Sequence, residues 1–135
     1  MSFEQQVLAW QRKAEAAMEA TLKESAQDLT EQMLKPQAKG GHMPVDTGAL
    51  RNSFTAAVNS MPRGPETAAG VPADFDMQPI VLAINRVKLG DRLAVGTAMN
   101  YSGVMEARYA YLRSAVQNWD TITERAARRV RRAIR

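Results

Sequence analysis

Apolar side chains recur at Phe3, Val7, Trp10, Ala14, Met18, Leu22, Ala26, Leu29 and Met33, in steps of three and four. That spacing draws one stripe down an α-helix. Ser2 and Gln5 stand in front of it at capping-box spacing, and neither glycine nor proline follows before Pro36. The pattern predicts a long helix over residues 1–35. At a rise of 1.5 Å per residue such a rod is roughly 50 Å long. A compact domain of this size has a radius of gyration near ~14 Å, so the rod must overhang its own core. An overhanging apolar stripe calls for another chain to cover it, which is the first sign of an oligomer.

Pro36, Gly40, Gly41 and Pro44 break the helix over residues 36–46. Asp46 is placed to cap a short turn over residues 47–52, its carboxylate accepting backbone N–H groups. Gly48 there permits close backbone approach or an unusual dihedral. A strand is expected next, with Phe54, Ala56 and Val58 on one face and Thr55, Ala57 and Asn59 on the other. Residues 61–79 carry Pro62, Gly64, Pro65, Gly70, Pro72 and Pro79. A loop of that length is either functional or disordered, and ordering by a neighbouring subunit is expected. Ile80, Leu82 and Ile84 then alternate with Val81, Ala83 and Asn85. A turn at Leu89-Gly90-Asp91 and a return through Leu93 and Val95 complete a predicted hairpin. With the first strand this makes a three-stranded antiparallel meander.

After a short turn over residues 101–106, Tyr109, Leu112, Val116, Trp119, Ile122, Ala126, Val130 and Ala133 fall on one helical stripe. Thr121 and Glu124 repeat the capping-box spacing, so one helix with a kink is expected. The chain has 135 residues, enough for one domain and too few for two. The expected architecture is therefore α+β and a single domain over residues 1–135. It has a long helix at 1–35, a short turn and antiparallel sheet at 46–100, and a helical part at 101–135. The C-terminal helices pack on one sheet face.

Composition adds limits. With 45% hydrophobic and 24% charged residues the chain reads as an ordinary globular protein. No apolar run approaches the ~18–20 residues of a membrane span. The opening MSFEQQVLAWQRK has acidic and polar residues where a signal peptide has a basic start and an apolar stretch. The expected place of synthesis and use is the cytoplasm. The absence of cysteine removes any disulfide framework or thiolate site and fits a reducing compartment. The net charge of +4 is uneven: residues 1–35 carry four basic and six acidic side chains. Residues 125–135 carry Arg125, Arg128, Arg129, Arg131, Arg132 and Arg135 with no acid. Such asymmetry suggests an acidic partner, nucleic acid or protein; the plainer reading is a solvated helix face.

Candidate chemistry is sparse. Val45-Asp46-Thr47-Gly48-Ala49 imitates the way an aspartic protease presents its carboxylate, and Ala94-Val95-Gly96 its apolar downstream segment. A homodimer would have to bring two carboxylates together to share a proton. That fold is nearly all strand, whereas this chain reads as more than half helical. Pro44 also stands where the leading strand needs an N–H. A structural Asp46 is the stronger reading. His42 is the single histidine, and no carboxylates fall at metal-ligand spacing around it. Asp74 and Asp76 lie in the Pro/Gly loop without evident partners, and Gly40-Gly41 lacks the spacing and lysine of a phosphate loop. Tyr101, Tyr109, Tyr111 and Trp119 beside arginines, Arg113 included, resemble a single-strand stacking platform. Helical spacing makes Tyr109, Leu112, Val116 and Trp119 more simply a core stripe.

One segment resembles a known family. Met43-Pro44-Val45-Asp46-Thr47-Gly48-Ala49-Leu50-Arg51-Asn52-Ser53-Phe54 is similar to the Pro-x-Asp-Thr-Gly-x-Leu-Arg-x-Ser pattern of the tail-component family of lambdoid phages, the neck or tail-completion proteins. Later landmarks follow in order. Val95-Gly96-Thr97 ends the last strand; Asn100-Tyr101 and Val104-Met105-Glu106 resemble its Tyr-Ala-x-x-x-Glu helix; Leu112-Arg113-Ser114-Ala115 resembles its Leu-Arg-x-Ala start of the last helix. The likeness spans nearly the whole chain. A departure lies after Glu106, where the family has a Gly-containing loop with aromatic and proline residues. Here the chain runs through Ala107-Arg108 straight into Tyr109.

The resemblance implies a structural virion protein of the head–tail junction, in the host cytoplasm during assembly, with no enzyme activity and no cofactor. It implies a homo-oligomeric ring between the head connector and the tail-tube or tail-terminator proteins, with DNA passing through it. Pro44, Asp46, Thr47, Gly48, Leu50 and Arg51 would be its structural motif. Arg125, Arg128, Arg129 and Arg132 share one helix face, with Arg135 close behind, while Ile122, Ala126, Val130 and Ala133 occupy another. The apolar stripe should pack on the domain and leave the basic one to an outside partner, an acidic protein face in preference to DNA. The alternative is a DNA-binding module using this basic helix.

Overall fold

In a computed structural model the chain is described at residues 2–45, 48–62, 75–97, 99 and 102–134. The elements run α1 (Phe3–Leu34), a 3-10 turn (Gln37–Lys39), α2 (Ala49–Asn52), β1 (Thr55–Val58), α3 (Gln78–Arg86), β2 (Leu93–Gly96), α4 (Ser102–Tyr109), α5 (Tyr111–Val116) and α6 (Trp119–Ile134). The fold mixes helix and sheet around a long N-terminal helix.

α1 begins with the expected capping box. The Gln5 N–H donates to the Ser2 hydroxyl at 3.2 Å, and the Ser2 N–H donates to the Gln5 side-chain oxygen at 3.0 Å. Its end is fixed by a compact loop. Met43 N–H donates to the Lys35 carbonyl and Gln37 N–H to that of Met43, each at 3.1 Å. Gly41 packs so tightly that a Cβ would stand 2.0 Å from the Lys35 carbonyl oxygen; only glycine closes this loop.

The sheet has two antiparallel strands, β1 and β2, with Thr55 opposite Gly96 and Val58 opposite Leu93. The expected third strand is a helix. Over residues 78–86 the alternation of Ile80, Leu82 and Ile84 competes with a second period, Ile80, Ala83, Ile84 and Val87. All four of these last are buried, while Leu82 is exposed. Pro79 in the first helical turn supports that outcome, as does Asp76, whose carboxylate accepts the Gln78 N–H at 3.0 Å. Asp76, for which the sequence offered no evident partner, thus accepts the first backbone N–H of α3 from just ahead of the helix. The Leu89-Gly90-Asp91 turn exists, with Gly90 at φ +91°, but it joins α3 to β2. Most of the long loop over residues 61–79 lies outside the described residues.

The expected single kinked helix after the sheet is instead three helices. Ala110 takes a left-handed φ of 54° between α4 and α5, and a turn at Gln117 and Asn118 precedes α6. These breaks change the phase of the stripe. Tyr111 and Ala115 are buried where Tyr109, Leu112 and Val116 were expected, and Leu112, Val116 and Trp119 are exposed. Within α6 the expected phase holds: Ile122, Ala126 and Val130 are buried.

One core gathers Ala26, Met33 and Leu34 from α1 with Met43, Leu50, Phe54, Ile80, Ile84, Tyr111 and Ala115. α3, not the C-terminal helices, is the main cover of the sheet, packing on β1. α5 and α6 lie along α1. α6 runs antiparallel to it, with Asn118 beside Gln32 and Arg129 beside Glu24 and Asp28.

Candidate functional site

The residues of the 43–54 segment meet the later landmarks at one junction beside the end of α1. Leu50 is buried in the core. Arg51 donates from Nε to the Leu34 carbonyl at 2.8 Å, and its guanidinium lies 4.0 Å above the Phe75 ring. Burial holds the Arg51 pKa below its ordinary value. Thus the arginine ties the last turn of α1 to α2 and to the chain entering α3. Met99 N–H donates to the Thr97 hydroxyl at 3.1 Å, and the Thr97 and Ser53 hydroxyls share a 2.5 Å hydrogen bond. Ser53 passes its own proton to the Leu50 carbonyl at 2.6 Å. A hydroxyl has one proton to give, so the chain of donors runs from Met99 through Thr97 and Ser53 to Leu50. In this way Ser53, from the first motif, is fastened to the end of β2.

The aromatic side of the junction is equally tied. Phe54 and Tyr111 meet edge to face with centroids 5.9 Å apart. The Tyr111 hydroxyl donates to the Ser102 carbonyl at 3.1 Å. Burial first, and the Glu106 carboxylate second, push its pKa from 10.0 to about 12. Glu106 reaches from α4 to accept the N–H groups of Leu112 at 2.7 Å and Arg113 at 3.0 Å, capping α5 across the left-handed Ala110. The missing loop after Glu106 is therefore bridged by Glu106 itself.

Gly48 occupies the N-cap position of α2 at φ +85°, the left-handed dihedral that glycine adopts at least cost. Pro44 follows the fully buried Met43. Asp46 and Thr47 lie outside the described residues, as do Asp74 and Tyr101. Ala94-Val95-Gly96 pairs with residues 55–57 as plain sheet. His42 is exposed, and among the described residues no three His, Cys, Asp or Glu side chains converge as metal ligands. Among the described residues no helix is long and apolar enough to cross a membrane.

Two surfaces remain. The first is the start of α1, where Phe3 is 79% and Trp10 71% exposed and Val7, Leu8 and Met18 are also exposed. α6 ends beside Ala16 and Ala17, so roughly the first three and a half turns of α1 extend past it. The second is α6. Arg125, Arg128 and Arg132 face solvent, and Arg128 makes only a 3.8 Å pair with Glu124. Arg129 departs from the expected basic stripe. It binds Asp28 at 2.5 Å and Glu24 at 3.0 Å within the same chain. Asp28 first and Glu24 second raise its pKa. Its acidic partners stand on α1 of the same chain, where an outside partner was expected. Arg135 lies outside the described residues.

Sequence reasoning missed the roles of Asn59 and Asp91. Asn59, at φ 58°, donates to the Asp91 carboxylate at 3.0 Å and accepts the Arg92 N–H at 2.9 Å, closing the open end of the sheet. Asp91 also accepts the Lys88 N–H at 2.8 Å, and the Asn59 hydrogen bond is the main cause of its lowered pKa. An asparagine ending a strand and an aspartate after glycine are turn signals that could have shown this pairing. Compared with family models, curated proteins and solved structures, the chain matches none.

Proposed function

We propose that the protein is a structural component of the neck of a long-tailed phage, forming a ring at the head–tail junction and acting in tail completion or head–tail joining. The observation that carries this reading is the fate of the family-like segment. Leu50, Arg51, Ser53 and Phe54 are engaged in core packing, a helix tie, a hydroxyl chain and a ring contact, which suits a motif that specifies a scaffold. The uncovered apolar start of α1 supplies a surface for a second copy of the chain. The basic face of α6 suits an acidic face of the head connector or of the tail-tube or tail-terminator protein, while DNA passes through the channel. The protein would act in the host cytoplasm during assembly and in the finished virion, with no membrane stage.

The test replaces Arg125, Arg128 and Arg132 with glutamate and leaves Arg129 to hold α6. Electron microscopy should find separate filled heads and free tails; normal virions would overturn the reading. A second reading, a DNA-binding module, is favoured by the exposure of Arg125, Arg131 and Arg132 without ion pairs among the described residues. It requires DNA affinity that falls steeply with salt and disappears in the same variant.

A further inference from the structure

Beside the exposed start of α1 lies a groove of about 420 Å³ where α6 ends. Its apolar wall is made of small side chains, Ala16, Ala17, Ala20 and Ala133, with Val130 and Ile134. Its polar rim is already satisfied within the chain: Lys23 donates to the Asn85 carbonyl at 3.0 Å, and Glu24 holds Arg129. A large apolar side chain seated there would strand no charge. The volume lies at the small end of the roughly 300–1,000 Å³ range of ligand pockets, room for an aromatic ring and its immediate neighbours.

The chain carries such side chains without cover. Phe3 and Trp10 stand seven residues apart on one face, about 10 Å along the helix, with Val7 between them. They cannot enter their own groove, because Ala16, Ala17 and Ala20 belong to the same unbroken helix that carries Trp10. The signs of charge also match. Between Ser2 and Gln11 the sole ionic side chain is Glu4, and on α6 the exposed Arg132, which lacks an ion pair among the described residues, directly precedes the groove-lining Ala133.

We infer that the Phe3–Trp10 face of one copy docks in the Ala16/Ala20/Ala133 groove of a second copy, Trp10 filling it and Glu4 facing Arg132. Donor and acceptor surfaces differ, so the contact is heterologous and repeats from copy to copy, closing into a ring when the rotation allows. This rests on the ring reading and names the contact that would build it.

The chain has no cysteine, so introduced ones report alone. Full-length Val7→Cys and Ala20→Cys proteins, both retaining Trp10, are oxidised separately and as a mixture, up to millimolar concentration. The docking requires a disulfide between the two variants in the mixture and none in either protein alone. A disulfide-linked dimer of Val7→Cys by itself would mean two α1 starts pairing face to face and would overturn the proposal; so would no link in the mixture at any concentration. In parallel, Trp119→Phe leaves Trp10 as the only indole. Its emission should shift to the blue as concentration rises, and Ala20→Arg, which fills the groove, should weaken self-association at least about tenfold. No blue shift would also overturn it. A neck ring in virions without this link sinks the docking alone; the link without any effect of Trp10→Ala on virion assembly sinks the ring reading alone.

Discussion

The junction around Leu50 and the pair formed by α1 and α6 are built by opposite means. At the junction, side chains from α1, α2, α3 and α5 close on one another, and hydroxyls, a carboxylate and a guanidinium satisfy backbone groups there. In the helix pair the buried contacts of α6 are Ile122, Ala126 and Val130, supplemented by the Arg129 ion pairs at the surface. One region turns its polar side chains inward; the other keeps apolar and cationic groups facing out. On the proposed ring reading the open surface is the one that meets another chain, and its residues contribute little to holding the monomer together.

The sharpest break of that comparison sets Ile80→Ala against Trp10→Ala. Ile80 is fully buried, and truncation should cost about 2–5 kcal/mol in denaturant unfolding. Trp10 stands outside the core, so its replacement should stay within about 0.5 kcal/mol in the monomer. Equal losses would mean that the arm belongs to the core.

Next in size is the hydroxyl chain. Ser53→Ala removes the bond to the Leu50 carbonyl and leaves Thr97 without its acceptor, at a cost of about 1–3 kcal/mol. A double-mutant cycle with Thr97→Val checks the pairing: additive losses would show the two hydroxyls to be independent.

Tyr111 gives a smaller effect with a pH signature. Its pKa is raised from 10.0 to about 12 in the folded chain, so between those values the unfolded chain releases a proton that the folded one keeps. The stability this contributes is complete below pH 10 and is lost as pH rises toward 12. Melting temperatures should fall across that window, and Tyr111→Phe, costing ~1 kcal/mol at neutral pH for its hydrogen bond, should flatten the decline.

The long helix and the break before α2 were legible because local rules agree there: a capping box, an unbroken period of three and four, then Pro and Gly. At residues 80–87 two periods coexist, and the choice turned on Ala83 and Val87 being buried together, a tertiary outcome. The break at Ala110 was hidden for a similar reason. Alanine favours helix, and its left-handed φ exists because Glu106 caps the next helix from a turn away. The resemblance singled out Leu50, Arg51, Ser53 and Glu106, but their roles depend on partners far along the chain, such as Thr97 and Leu34. The basic stripe was visible as a set; that Arg129 turns toward α1 at the surface depends on Glu24 and Asp28, about a hundred residues away.

Arg129 also gives the smallest and most selective prediction. Its partners are part-exposed, and exposed ion pairs contribute about 0.2–1 kcal/mol and weaken with salt. Arg129→Gln should therefore leave the global unfolding midpoint nearly unchanged. The same loss is large beside the stability of one helix held by three small or medium side chains, so the amides of α6 should exchange faster while those of α3 do not. High salt should reproduce the effect in the unaltered chain and add little to the variant. Had α6 been an integral part of the core, its amides would open only with the whole molecule, and Arg129→Gln would change exchange in α3 and α6 alike. That result would erase the division between a closed junction and an open helix pair.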